Sequence, residues 1–170
     1  MSAETAACGG QAADRIDVPP IERQFRSLSG GFVLTVNAVD AWKTPFARAT
    51  LRNAAGAVQW EKQLPHHHGP RRALVTAGGR VLLVDEWINV ASKYALTLIA
   101  RDGTTVAAYS AEQVFTALAV PREAITSHAR FGPWIAAGPN LSADGRSADF
   151  SAGGKRLSLR LSDGRLTARG

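Results

Sequence analysis

Short aliphatic and β-branched runs, each closed by a small or turn-forming residue, recur along most of the chain. Phe32 to Val39 reads as a first strand, and Phe46 to Arg52 with Val58 to Leu64 as a hairpin about Ala55-Gly56. Val81 to Val84 is continuously apolar and enters from Gly78-Gly79, which predicts an inner strand covered on both faces. From Tyr94 the pattern alternates: Tyr94, Leu96 and Leu98 share one face, and Ala95, Thr97 and Ile99 the other. Asp102-Gly103 then predicts a type I′ turn, with Val106 to Tyr109 as the returning strand. On this reading Gly78 to Ser110 holds four strands. Near the C-terminus Leu157, Leu159 and Leu161 alternate with Arg156, Ser158 and Arg160, giving a core face and a basic stripe.

The punctuation repeats. Gly30-Gly31 before FVLTV matches Gly78-Gly79 before RVLLV, and the later turn glycines Gly56 and Gly103 fall into the same register. Asp144-Gly145-Arg146 and Gly164 give a third copy at a longer interval, the difference being a segment from about Ala111 to Arg130 that reads as an insertion. Three units follow, near 30 to 64, 78 to 110 and 144 to 169. Within the insertion, Ser110 to Ala119 is the best helix candidate: Ser110 is placed to cap it, Gln113 to complete a capping box, and Val114, Phe115 and Leu118 to form its apolar face. That helix is expected to cover an open sheet edge or end.

With 170 residues, 45% of them hydrophobic, the chain has enough apolar material for one core. We expect a flexible tail over residues 1–20 and a single β-rich domain over 21–170, with the helical insertion at about 110–130. One cysteine, Cys8, excludes an internal disulfide. No stretch approaches the roughly 18 apolar residues of a membrane helix. The first twenty residues are small, polar and irregular, which fits the mature end of an exported protein, periplasmic or secreted, and equally a cytoplasmic tail. A net charge of +6 permits an anionic partner without requiring one; nucleic acid is not the expected partner, and a homo-oligomer is left open.

Candidate chemistry concentrates in two places. The first is Pro65-His66-His67-His68-Gly69-Pro70-Arg71-Arg72, read as a loop because glycine and prolines bracket it. His66 and His68 are its weak metal candidates, since adjacent side chains diverge in extended backbone and only these two point the same way. Further ligands would have to come from Asp85, Glu86 or His128. The second place is Asp85-Glu86-Trp87 with Asn89 and Lys93. Neighbours on a strand face opposite ways, so Asp85 and Glu86 form a facing pair only if a bulge reorients one. Trp134, in the turn Phe131-Gly132-Pro133-Trp134, is a candidate peptide or carbohydrate contact. The serine-hydrolase elbow, the zinc-protease helix pair, the dinucleotide and phosphate loops and paired Cys-x-x-Cys motifs are all missing, so no cofactor is expected.

The glycine turns, with their Asp-Gly-Arg and Asp-Glu-Trp segments, resemble the blades of bacterial exported β-propeller proteins, from the first glycine pair to the end of the chain. The resemblance implies an all-β protein of antiparallel sheets built from three propeller-like hairpin units. Three units are fewer than the roughly four blades of the smallest propellers, so closure as a sandwich, a barrel or an incomplete propeller completed by a partner stays open. The functional expectation is a non-enzymatic binding module that meets a protein or peptide through Asp85, Glu86, Trp87, Asn89, Lys93, His66, His68, Arg71 and Trp134, in one version an immunity or inhibitor protein. The rival is a metal-dependent hydrolase built on His66, His68 and Asp85 or Glu86.

Overall fold

The computed structural model describes residues 17–87, 93–121, 123–124, 135 and 137–169. Among these residues, twelve strands form three four-stranded antiparallel meanders. The first sheet runs β1 (Glu22–Arg26), β2 (Val33–Ala38), β3 (Ala47–Arg52) and β4 (Val58–Leu64). The second runs β5 (Pro70–Val75), β6 (Val81–Glu86), β7 (Leu96–Ile99) and β8 (Thr105–Tyr109). Helix α1 (Ala111–Leu118) leads to the third sheet, β9 (Ala137–Leu141), β10 (Ser147–Ala152), β11 (Lys155–Arg160) and β12 (Leu166–Arg169). Among the described residues the protein is all-β with one short helix, and no sheet closes into a barrel.

Each repeat therefore begins one strand earlier than the glycine pattern indicates. Among its described residues the segment from Gly78 to Ser110 holds three strands, not four, and the fourth strand of its sheet, β5, precedes it. Pro70, Arg71 and Arg72, read as part of a loop, are the start of β5. Proline is tolerated there because it opens an edge strand, where no inner hydrogen bond is lost. β1 and β9 are edge strands too: β1 lies within Ile21 to Leu28, which reads from sequence as an extended edge leading into the fold, whereas the mixed polarity of β9 hides it from an alternation rule.

The middle sheet explains the continuous apolar run. Val81 and Leu83 of β6 belong to a core shared with Leu34, Val36, Leu51 and Trp60 of the first sheet. Leu82 and Val84 belong to a second core shared with Phe150, Leu157 and Leu159 of the third sheet. Every residue of β6 is buried, so the second sheet lies between the other two. The far faces of the first and third sheets are polar, carrying Glu22, Gln24, Thr35 and Arg48 on one and Arg156, Ser158, Arg160 and Thr167 on the other.

Turn glycines lock the layers together. Gly103 has a φ of +92° and sits so close to Trp60 of β4 that an added Cβ would lie 2.9 Å from the Trp60 Cβ. Gly164, its counterpart in the third sheet, meets Ala107 of β8 in the same way. Gly56, the first copy, has no sheet before it and nothing within 4 Å. The Asp102-Gly103 turn is not type I′, since Gly103 but not Asp102 has a positive φ. Hydrogen bonds from Gly103 to Ala100 and from Ala100 to Thr104 make it a longer loop closed by a left-handed glycine. A two-residue turn with two positive φ angles occurs instead at Gly153-Gly154, between β10 and β11.

The helix forms where its caps place it. The Ser110 side chain accepts from the Gln113 N–H, and the Gln113 side chain accepts from the Ser110 N–H. Val114, Phe115 and Leu118 enter the core between the second and third sheets, and the helix lies against β12. Its C-terminus is met by Lys155, whose ammonium donates to the Leu118 carbonyl at 2.8 Å.

Candidate functional site: a cationic and aromatic end of the sheets

Two loops far apart in sequence meet at one end of the first and second sheets. Pro70 pairs with Glu86 across β5 and β6, and the Trp87 N–H donates to the Gly69 carbonyl at 3.0 Å. The histidine loop and the Asp85–Trp87 corner are thereby side by side. A third loop, residues 39–46, joins them through the His68 N–H, which donates to the Pro45 carbonyl at 2.8 Å. Within that loop the Asp40 carboxylate accepts from both the N–H and the hydroxyl of Thr44, which holds the turn closed.

Backbone strain collects here. The non-glycine residues with left-handed φ among the described residues are Ala41, Trp42, His68, Asp85 and Ala119. Ala119 is the helix C-cap; the other four all lie at this end. Such a conformation costs a non-glycine residue on the order of 1–3 kcal/mol and persists only where its surroundings impose it.

Trp87 is the centre of the corner. The Arg23 guanidinium lies 5.0 Å from its ring centroid and that of Arg71 lies 5.7 Å away, each within cation–π range. Arg23 also donates to the Pro70 carbonyl and Arg71 to the Trp87 carbonyl, both at 2.7 Å. Burial pulls the Arg23 pKa down to about 10. The Trp87 indole donates to the Asp17 carbonyl at 2.7 Å, and the Trp42 indole to the Pro19 carbonyl at 2.8 Å. Residues 17–19, placed in the tail by sequence, thus run across both tryptophans.

The histidines part company. His66 is 1% exposed, with its ring 5.0 Å from that of Tyr94, and burial lowers its pKa to about 4. His68 stacks instead against Trp42 at 5.0 Å, and its pKa is lowered by desolvation and by the neighbouring His67. Among the described residues no group of three or more His, Cys, Asp or Glu is arranged to hold a metal ion. Asp85 and Glu86 are both buried, at 0% and 3% exposure. Asp85 adopts a φ of +54°, which breaks the strand alternation. It is the local reorientation needed for both carboxylates to turn inward; burial and the neighbouring Arg71 lower the Arg72 pKa, and the negative charge of Asp85 offsets part of that. Lys93 is exposed over the Tyr94 ring at 5.4 Å. Asn89, Trp134, His128 and Cys8 lie outside the described residues.

A cleft opens beside this corner, where the first strands of all three sheets come together. It measures about 560 Å3 and is lined by Phe25 of β1, Arg71, Arg72 and Ala73 of β5, and Pro139 and Asn140 of β9. Arg72 bridges to the third sheet by donating to the Gly138 carbonyl at 2.8 Å.

Sequence reasoning missed Arg23, Phe25, Trp42 and Tyr94 as members of this region. Trp42 carried a signal, a large aromatic in a loop between strands; Arg23 carried none, because Pro70 and Trp87, its partners at this corner, are 47 or more residues away. Comparison with known protein families finds no matching family model, and comparisons with curated proteins and with solved structures find no similar protein.

Proposed function

We propose that the protein is a non-enzymatic binding module that recognises a protein or peptide at the end formed by loops 39–46 and 65–69 and the Trp87 corner. The observation that carries this reading is the concentration of left-handed, non-glycine backbone at Ala41, Trp42, His68 and Asp85. A scaffold that needs only stability has no use for four strained residues at one end, whereas a recognition surface uses them to fix side chains in advance. The outer rim adds an apolar foothold. Val39 and Phe46 continue the β2–β3 pairing, joined through the Val39 N–H and Phe46 carbonyl at 3.0 Å, and remain 46% and 44% exposed. An exported immunity or inhibitor protein, blocking the site of a secreted toxin, is the form of this role that suits a compact domain without catalytic motifs.

The test is capture of a partner from the source organism's extract by the full chain, followed by mass spectrometry. A stoichiometric protein should be retained, and Phe46→Asp should weaken its binding at least tenfold, the effect expected of an interface anchor, with the unfolding midpoint unchanged. Equal retention by Phe46→Asp and the native chain, or no retained protein, would overturn the proposal.

A further inference from the structure

We propose that the outward face of the third sheet is a second interaction surface, which binds an extended acidic peptide segment. Two carboxylates four residues apart are held there, one by Arg156 with Arg169 and the other by Arg165. None of these arginines belongs to the loop end described above.

The face follows from the β11 pattern. Leu157 and Leu159 enter the core, and Arg156, Ser158 and Arg160 take the opposite side of the strand. In register, Arg169 of β12 lies directly opposite Arg156, and Thr167 opposite Ser158. At the far end the Arg160 N–H donates to the Arg165 carbonyl at 2.8 Å. Cations therefore stand in two rows, four residues apart along β11, which is about 13 Å at the rise of a strand. The row between them is Asp149, Ser158 and Thr167. All of these side chains line one concavity of about 350 Å3.

Like charges directly opposite each other on a sheet repel, and the carboxylates of this face do not relieve Arg156 and Arg169. Asp149 accepts from the Ser158 hydroxyl at 2.9 Å, and Asp144 from the Ser142 hydroxyl at 2.7 Å. Asp163 takes two nitrogens of the Arg160 fork, at 2.8 and 2.5 Å. Among the described residues no hydrogen bond or ion pair engages the side chains of Arg156, Arg165 or Arg169, and all three are exposed. The outer face of the first sheet is built differently. There Arg48 and Arg52 stand beside Glu22 and Glu61, and Arg48 pairs with Glu61 at 4.0 Å. An outer sheet face in this fold does not require unmatched arginine.

Spacing and composition choose the ligand. Residues i and i+4 of an extended chain lie on one side about 13 Å apart, whereas in a helix they are about 6 Å apart. An extended segment spans the two rows and a helix does not. Guanidinium forks fit planar carboxylates, while Asp149 in the middle row disfavours a third one at i+2. No aromatic side chain lines the concavity, so single-stranded nucleic acid lacks a stacking platform. A duplex, with one negative charge per about 1.7 Å, would meet Asp144 and Asp149 as well as the arginines.

The full chain, isotopically labelled, is titrated with three heptapeptides and with heptathymidylate, and followed by heteronuclear NMR. Acetyl-Ser-Glu-Ser-Ala-Ser-Glu-Ser-amide carries carboxylates four residues apart. Acetyl-Ser-Ser-Glu-Glu-Ala-Ser-Ser-amide has the same composition with adjacent carboxylates, and acetyl-Ser-Gln-Ser-Ala-Ser-Gln-Ser-amide has none. The first should give saturable shifts at the Ser158 and Thr167 amides and at the Nε–H signals of Arg156, Arg165 and Arg169. The adjacent form should bind about threefold more weakly and the neutral form about tenfold, the scale of exposed ion pairs. Arg165→Gln and Arg169→Gln should each raise the Kd of the first peptide about threefold, while Arg48→Gln, on the other outer face, leaves it unchanged. The absence of saturable shifts, equal binding of the spaced peptide and either control, or an unchanged Kd in either of the first two variants would overturn the proposal. Tighter binding of heptathymidylate than of the spaced peptide would also overturn it and assign the face to nucleic acid.

Discussion

At the scale of single residues, His66 has the most definite consequence. Its imidazole is buried against Tyr94, and neither ring nitrogen has a hydrogen-bond partner among the described residues. The folded state therefore holds it neutral down to about pH 4, while in the unfolded chain it protonates near 6.5. Between these values the unfolded state binds more protons, so stability is full above about pH 6.5, falls as the pH drops, and levels off below about 4. The loss from this group is on the order of 3 kcal/mol over the window. Urea unfolding at pH 7 and pH 4.5 should show it, and His66→Phe should flatten the difference; an unchanged difference would mean that other groups carry it. His66 was legible in sequence as a candidate, but its burial was not. Nothing in Pro65-His66-His67-His68 says which imidazole turns inward, because that depends on Tyr94 arriving from another loop.

At the scale of elements, the helix was the most readable part of the chain. Ser110, Gln113 and the apolar residues Val114, Phe115 and Leu118 specify it locally, and the reciprocal cap forms as those residues require. Ser110→Ala should cost about 1 kcal/mol, visible as a lowered unfolding midpoint, whereas Ser110→Asp should keep most of the stability. The strands divide by polarity. Those with strong apolar alternation, such as β2 and β11, were legible, and Ile21 to Leu28 reads as an extended edge, which β1 is; the first strands of the second and third sheets were not. β1, β5 and β9 are edge strands with little apolar alternation of their own, and they become strands because β2, β6 and β10 offer them a paired edge. The same edges converge on the cleft, so the elements hardest to read are those that build the candidate site.

At the scale of the whole molecule, stability is organised around β6. Its side chains serve two cores at once, Leu83 toward the first sheet and Leu82 toward the third. Leu83→Ala removes a fully buried side chain and should destabilise the protein by about 2–5 kcal/mol, measured by denaturant unfolding. Leu83→Met, which nearly conserves volume, should cost less than about 1.5 kcal/mol. Equal losses from the two would contradict tight packing between the first and second sheets.

The sequence by itself determined the period of the strands, the glycine turns and their repetition, the helix with its cap, and the doubly covered character of Val81 to Val84. Each is a local matter of backbone freedom and of which side chains tolerate water. Only the tertiary structure decided that Gly103 and Gly164 are required for close contact between successive sheets while Gly56 is free of it. It also decided that Arg23, Arg71 and Trp87 stack together, and that Asp85 and Glu86 turn inward. These outcomes depend on contacts between residues tens of positions apart, and the free energy of such contacts has no counterpart in local pattern.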